Sequence, residues 1–280
     1  MNDGLAGVRV CGTGVQRALD DARPRTILVS DLHVPTGDSV VLADFMSLLA
    51  RARDDAAQTR LLVLGDLFEG IVNERQLEVG RWRDLTASLR ATADAGVSVT
   101  VLHGNRDFML GKRFARTSGC RVVPGGLAFV LGGCRTLALH GDELCVNDVP
   151  YQRSKRWLRS RLVRGFCAIL PLAAAAAVGR KARSTSTRTM GQGDQRRFAP
   201  VDEAVGAAFA AGFDLLVFGH VHTPGDGELA AGGRYCVLPA FDDTAVFLQH
   251  DPGVGLRFVS LAGSPPRYGP LDFAPRLAPS

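Results

Sequence analysis

The chain has 280 residues, 46% hydrophobic and 22% charged, with a formal net charge of +5. That length suits one large domain or a domain carrying an insertion, and the ordinary composition excludes a disordered or low-complexity protein. Six scattered cysteines without a C-x-x-C pair argue against a disulfide framework or a zinc ribbon and fit a reducing, cytoplasmic compartment.

Residues 1–24 carry an acid at Asp3 and lack a long apolar run, so they do not read as a secretory signal. They are expected to form a loosely ordered leader ending at Pro24. No stretch reaches the roughly 20 apolar residues that span a bilayer. Thr26 to Ser30 reads as a buried strand that ends in Asp31-Leu-His33, a D-x-H whose two side chains share one face of an extended backbone. A helix with apolar spacing at Phe45, Leu48 and Leu49 is expected over Asp44–Arg53.

Leu61–Leu64 is the most strand-like run of the chain, and it stops on Gly65-Asp66. Four consecutive apolar residues suit a strand covered on both faces, and carboxyl ends of such strands are where open α/β sheets bind ligands. A helical stretch follows over about Glu74–Ala95. Val97–Leu102 forms the next strand, ending in His103-Gly-Asn105-Arg106-Asp107. Leu127–Leu131 and Arg135–Leu139 flank Gly132-Gly133 as a hairpin, and its second strand delivers His140-Gly-Asp142. Asp214–Phe218 is a buried strand ending in Gly219-His220-Val-His222, and three short strands, Tyr235–Leu238, Ala245–Gln249 and Gly255–Leu261, follow before a Pro-rich tail over 263–280.

Five strand ends thus carry D-x-H, G-D, G-N-x-D, H-G-D and G-H-x-H. Any one of them is commonplace. Together they place four of the six histidines at strand ends beside Asp or Gly. Carboxylate, imidazole and amide oxygen suit hard-to-borderline divalent ions such as Mn²⁺, Fe²⁺ or Zn²⁺, and the absence of thiolates disfavours a purely structural zinc. Seven donors exceed the need of one ion and suit two. A pair of ions about 3.5–4 Å apart can clamp a phosphoryl oxygen and bring the pKa of a bound water near 7. The expected architecture is an α/β sandwich of mixed sheets with all five ends on one rim.

This ordered set resembles the calcineurin-like metallophosphoesterase superfamily over about residues 25–250. The resemblance implies two packed β-sheets flanked by helices. It implies that Asp31, His33 and His222 hold one metal, that Asn105, His140 and His220 hold the other, and that Asp66 bridges both. Most members that this chain resembles carry G-N-H-[DE], where the histidine can protonate a leaving group. Here that position is Arg106, which stays cationic and can only clamp phosphate or offset charge. A leaving group needing no proton, such as one side of a pyrophosphate, follows from that exchange.

The runs His103–Arg116 and His140–Asp148, with Tyr151-Gln152, are more specific: they resemble the UDP-2,3-diacylglucosamine diphosphatases of lipid A biosynthesis. That resemblance implies Mn²⁺-dependent cleavage of a UDP-linked acylated glucosamine to UMP and 2,3-diacylglucosamine 1-phosphate, at the cytoplasmic face of the inner membrane. It implies catalytic roles at Arg106 and Asp107, with Asp107 and Asp142 orienting the ligands. Substrate contacts are implied at Asn105, Arg106, Asp148, Ser186 and His220. Another nucleotide-linked lipid, a nucleotide or a phosphoprotein is the alternative substrate, and a non-catalytic scaffold is disfavoured because all seven ligand positions are filled.

Between Tyr151 and Ala199 twelve Lys/Arg face one acid, Asp194, so this segment is +11 and the remainder is −6. The segment alternates Arg with large apolar residues from Trp157, and Pro171 is expected to divide it into two helices. An insertion at about 150–200 that is basic with an apolar face fits a helical cap for acyl chains and anionic headgroups. Interleaved aromatics are too few for a nucleic-acid surface, and no obligate protein partner is expected. The cap departs from the resembled family where Met190 and Gly193 replace Asn and Lys, and the last strands read Leu238-Pro-Ala-Phe241 in place of a Gly and Trp pattern.

Overall fold

The computed structural model describes residues 8–18, 23–192, 199–229 and 232–262. Its strands are β1 (Arg9–Val10), β2 (Thr13–Arg17), β3 (Arg25–Val29), β4 (Thr59–Val63), β5 (Ser98–Leu102), β6 (Arg121–Val123), β7 (Gly126–Leu131), β8 (Cys134–Ala138), β9 (Leu215–Phe218), β10 (Gly225–Glu228), β11 (Arg234–Val237), β12 (Val246–Asp251) and β13 (Gly255–Ser260). They form two sheets, ordered β1-β2-β7-β8-β9-β11-β10 and β13-β12-β3-β4-β5-β6. β3 to β6 run parallel, β12 and β13 close that sheet antiparallel, and β8, β9 and β11 run parallel in the other.

The two-residue period of the strands sorts their side chains into three layers. Ile27, Val29, Leu61 and Val63 face the helices that cover the six-stranded sheet. Their neighbours Leu28, Leu62 and Leu64 face inward, where they meet Leu127, Phe129, Leu215 and Val217 of the other sheet. Leu137, Leu216 and Phe218 turn to the far side, against Ala204, Val205 and Ala208. Leu28 and Leu62 are completely buried, and each contributes about 2 kcal/mol of hydrophobic stabilisation. The expected two-sheet sandwich is therefore the observed one.

The helices that cover the six-stranded sheet are α1 (Val40–Arg53), α2 (Gly80–Asp94) and α3 (Lys112–Ser118). Helix α1 begins one turn before the expected Asp44, because Ser39 Oγ accepts the Leu42 N–H and caps it. The single helix expected over Glu74–Ala95 is divided: a 3₁₀ turn, Glu74–Glu78, is capped by Asn73, and Val79 is extended before α2 starts at Gly80. The hairpin β7–β8 turns at Gly132 (φ 56°) and Gly133 (φ 88°), left-handed conformations that suit a tight two-residue turn.

The insertion holds α4 (Val149–Leu158), α5 (Arg161–Ile169) and α6 (Leu172–Gln192), followed by α7 (Asp202–Ala210). Pro171 does separate two helices, and a second break at Arg159-Ser160 makes the described segment three helices. Ser160 Oγ accepts the Val163 N–H at the start of α5.

The loosely ordered leader expected over 1–24 does not hold for residues 8–18. There β1 and β2 pair with each other, and β2 runs parallel to β7. Val10 and Val15 are buried with Ala128 and Leu137, and between them stand a half-buried Cys11 and then Gly12, Thr13 and Gly14. Two apolar residues are too few to show a period in sequence. The sheet edge they complete recruits them. The Pro-rich tail over 263–280 lies outside the described residues.

Candidate metal centre

β3, β4 and β5 end in the loops that carry Asp31, His33, Asp66 and Asn105, and β8 and β9 end in those that carry His140, His220 and His222. The centre is therefore assembled across the seam between the two sheets. Backbone bonds interlock the strand ends: Leu32 and His33 N–H donate to Asp66 O (3.0 and 2.9 Å), and Gly219 N–H donates to His140 O (2.8 Å). Such closeness depends on glycine. A Cβ at Gly104 would collide with the Asp66 carboxylate.

Five of the candidate ligands have left-handed backbone: Asp31 (φ 55°), His33 (45°), Asp66 (53°), His220 (69°) and His222 (54°). Cys11 and Ala245 are the other non-glycine residues to share it among those described. Each such residue costs on the order of 1 kcal/mol, and an outlier cluster of this kind is held by its surroundings at functional sites. Here it turns consecutive side chains off the strand axis and towards one point.

The donor atoms converge accordingly. Asp31, His140 and His220 each offer a ligand atom within 4.8 Å of the others, and so do Asp31, His33 and His222. The two oxygens of Asp66 face one histidine from each side: Oδ2 lies 3.1 Å from His33 Nε2 and Oδ1 lies 3.8 Å from His140 Nε2. Asn105 Oδ1 accepts from His140 Nε2 (2.9 Å), whose Nδ1–H donates to Leu64 O (2.8 Å). The ring of His220 stands edge-on to His140, with centroids 4.9 Å apart.

Electrostatics follow from burial against pairing. Burial opposes ionisation of Asp31, but His222, His140 and His33 hold its carboxyl well below the usual range. Asp66 is lowered likewise, with His140 and His33 outweighing burial. Burial pulls His33 and His140 down, yet Asp242 and Asp66 lift His33 to about 10, and Asp66 and Asp31 lift His140 to about 9. Burial and then the neighbouring His140 depress His220 to about 4.

The residues fit divalent cations on an independent observation. Asp31 Oδ1 is buried with no well-aligned hydrogen bond, its charged neighbour being His222 Nε2 at 3.4 Å, while Oδ2 accepts from Ser30 Oγ–H (2.6 Å) and His220 N–H (2.8 Å). An anionic oxygen oriented by its twin's hydrogen bonds and facing an imidazole nitrogen without a good hydrogen bond is suited to a cation.

The other expected site residues divide. Arg106 N–H donates to Asp66 Oδ1 (2.9 Å), and its Nε lies 3.5 Å from Asp66 Oδ2, so the guanidinium stands at the rim, partly exposed. Asp107 is fully buried, and both its oxygens accept backbone N–H groups, from Leu67 (2.7 Å) and Gly104 (2.9 Å). It joins the Asp66 loop to the Asn105 loop. Burial, then Asp66, raises its pKa to about 6. Asp148 caps α4 through the Tyr151 N–H (3.3 Å). Ser186 falls within α6, but its side chain lies outside the described residues.

Sequence reasoning missed two partners. Asp242 Oδ2 lies 2.7 Å from His33 Nδ1. Lys155 of α4 lies 2.8 Å from Asp142 Oδ2 and 3.3 Å from Glu143 Oε1. Neither pairing has a local signal, since each joins elements distant in the chain or in the fold.

The cap lies against the same rim. Arg159 donates to Gly104 O (3.0 Å), Arg164 donates to Phe108 O (3.2 Å), and Asn73 Nδ2 donates to Ala168 O and Leu170 O (3.0 and 3.1 Å). Its large apolar residues point outward: Trp157, Leu162, Phe166 and Ile169 are all more than 60% exposed. Among the described residues, no helix is long and apolar enough to cross a membrane.

Comparison with known proteins shows the family. The family model described as calcineurin-like phosphoesterase matches residues 24–224. A Stenotrophomonas maltophilia protein named UDP-2,3-diacylglucosamine hydrolase is 36% identical over 227 residues, spanning 78% of this chain and 90% of that one. Proteins of the same name from Ralstonia nicotianae (37% identity, 70% and 76% covered) and Pseudomonas aeruginosa (34%, 80% and 94%) are similar as well. Among solved structures, an archaeal phosphodiesterase covers 85% of the chain at 10% identity and a TM-score of 0.44.

Proposed function

Because the chain belongs to the calcineurin-like phosphoesterase family, we propose that it hydrolyses the pyrophosphate of UDP-2,3-diacylglucosamine, giving UMP and 2,3-diacylglucosamine 1-phosphate, a step of lipid A biosynthesis. The observation that carries this reading is the convergence of Asp31, His33, Asp66, Asn105, His140, His220 and His222 on one point, in a chain 34–37% identical to hydrolases of that name. Asp31, His33 and His222 would hold one ion and Asn105, His140 and His220 the other, with Asp66 shared. Two Mn²⁺ ions, when bound, supply an activated water and offset charge on the phosphoryl group.

The protein's own part is placement. Asp107 fixes the loops that present Asp66 and Asn105. Arg106, cationic at every working pH, stands over Asp66 where it can hold a phosphoryl oxygen and gain strength as charge builds there. Its inability to donate a proton suits a phosphate leaving group. Asn105 and His220 would reach the same phosphoryl group, and Asp148 would contact the sugar; the contact expected at Ser186 lies outside the described side chains.

The exposed face of α5 supports a peripheral site on an anionic membrane surface. Leu162, Phe166 and Ile169 recur at helical spacing, and exposed Arg153, Arg156 and Arg161 flank them. Membrane contact would bring the cap to where an acylated substrate resides.

The test is incubation of the purified protein with Mn²⁺ and UDP-2,3-diacylglucosamine in detergent. UMP should appear, vanish with EDTA and return with Mn²⁺, and Asp66→Ala should abolish both turnover and metal binding. No UMP, with cleavage of a simple phosphodiester, would assign the centre to another substrate.

A further inference from the structure

One carboxylate at the rim lies outside the seven-donor set. Asp242 belongs to a one-turn helix, α8 (Phe241–Thr244), that follows β11. Two backbone bonds lay that turn against the end of β3: Phe241 N–H donates to Ser30 O (3.1 Å) and Asp242 N–H donates to Asp31 O (3.3 Å). The same placement brings Asp242 Oδ2 to 2.7 Å from His33 Nδ1, while His33 Nε2 lies 3.1 Å from Asp66 Oδ2.

Imidazole has two nitrogens, and the bond made by one decides what the other can do. With Nδ1–H committed to Asp242, Nε2 is the nitrogen whose proton a cation can displace. Among the described residues, the ring that lies near it is that of His222, with centroids 5.5 Å apart. His140, which is buried, differs in this respect. His140 Nδ1 is held by a neutral carbonyl, Leu64 O, at 2.8 Å. A carboxylate partner makes an imidazole a stronger donor than a carbonyl does, so the two sides of the centre are unequal by construction.

We propose that Asp242 is a positioning residue for the metal centre: it fixes the rotamer and tautomer of His33 and strengthens Nε2 as a donor to the cation shared with Asp31 and His222. This rests on the two-metal reading above. It also predicts that removing Asp242 weakens one binding event and spares the other, because Leu64 O continues to hold His140.

The test is calorimetric titration of the metal-free protein with Mn²⁺, for the unaltered chain, Asp242→Ala and Asp242→Asn. Two binding events are expected in the unaltered protein. Asp242→Ala should weaken one of them about 10- to 100-fold, and Asp242→Asn, whose amide oxygen still accepts the Nδ1–H, should recover most of the loss. A second readout follows the ¹⁵N resonances of His33 in the Zn²⁺-loaded protein. The unaltered chain should show a protonated Nδ1, shifted in Asp242→Asn as the acceptor loses its charge. Should Asp242→Ala not fold, the asparagine variant alone decides the matter by that shift. Equal Mn²⁺ affinities in all folded variants, or an unmoved His33 resonance, would overturn the proposal and leave the metal centre standing. Failure of the unaltered protein to bind Mn²⁺ would overturn the centre itself.

Discussion

Lys155 Nζ lies 2.8 Å from Asp142 Oδ2, which ties the first helix of the cap to the segment that delivers His140. Asp142 is fully buried, its carboxyl held far below the usual range because Lys155 and then His140 outweigh burial, and Glu143 beside it is buried too. The Lys155 ammonium therefore sits between two buried carboxyls, offsetting the charge of Asp142, while burial and then Asp142 push Glu143 up. Removing one partner of a buried pair costs about 3–5 kcal/mol, because a charge is left without compensation. Arg159, 3.8 Å from Asp142, softens this. Lys155→Ala should lower stability by about 3 kcal/mol, read as a fall in the denaturant midpoint, and a shift within error would mean that the cap docks without this pair.

Arg106 meets Asp66 through both backbone and guanidinium, and its side chain is partly exposed at the rim. Arg106→Ala should leave Mn²⁺ binding intact and reduce kcat by about 10²–10³-fold, the usual cost of losing a donor aimed at developing charge. Arg106→Lys should recover part of the loss, since a point charge remains while the planar fork is gone. Loss of Mn²⁺ binding in Arg106→Ala would instead make the arginine a support of the site.

Leu162 is 87% and Phe166 62% exposed on one face of α5. Leu162→Glu with Phe166→Glu should abolish sedimentation with vesicles rich in phosphatidylglycerol. Activity on a water-soluble analogue should stay within about twofold, because neither residue touches the rim. Each buried apolar side chain adds roughly 1.5–3 kcal/mol to such binding. Unchanged sedimentation would reject the membrane reading of this face.

Asp251 closes the β12 end of its sheet by accepting from Arg25 Nε and Arg257 Nη2, each at 2.7 Å. Burial works against its ionisation, yet these partners and Gln249 lower its pKa. A carboxyl depressed on folding adds stability above its unfolded pKa, about 3.9, and loses it as pH falls through the lower folded value. Asp251→Asn should cost about 1 kcal/mol at pH 7, the arginines being partly exposed. The difference from the unaltered chain should shrink steadily below about pH 4. A gap in melting temperature that persisted at pH 3 would contradict the assignment.

Much of the centre was legible in the linear chain, for a physical reason. A strand that is covered on both faces must be apolar, and it can place a polar ligand only where it ends. The five ends therefore announce themselves as apolar runs broken by Asp, His or Asn, and local chemistry alone marks Asp31, His33, Asp66, Asn105, His140, His220 and His222. The hairpin at Gly132-Gly133 and the break at Pro171 are local in the same way, because they rest on the allowed φ of single residues.

What the chain order could not decide is which distant groups meet. β1 and β2 have too few apolar residues to show a period, and they become strands because β7 offers an open edge. The sequence does not say what Asp107 beside Asn105 would touch, and in the fold both its oxygens accept backbone N–H groups. Asp242 reaches His33, and Lys155 bridges Asp142 and Glu143, through packing between separate elements. Hydrogen bonds act over about 3 Å of space, whatever the separation along the chain, so the sequence by itself determined the donor types and their strand-end positions, while the tertiary structure decided how they are oriented, held and neutralised.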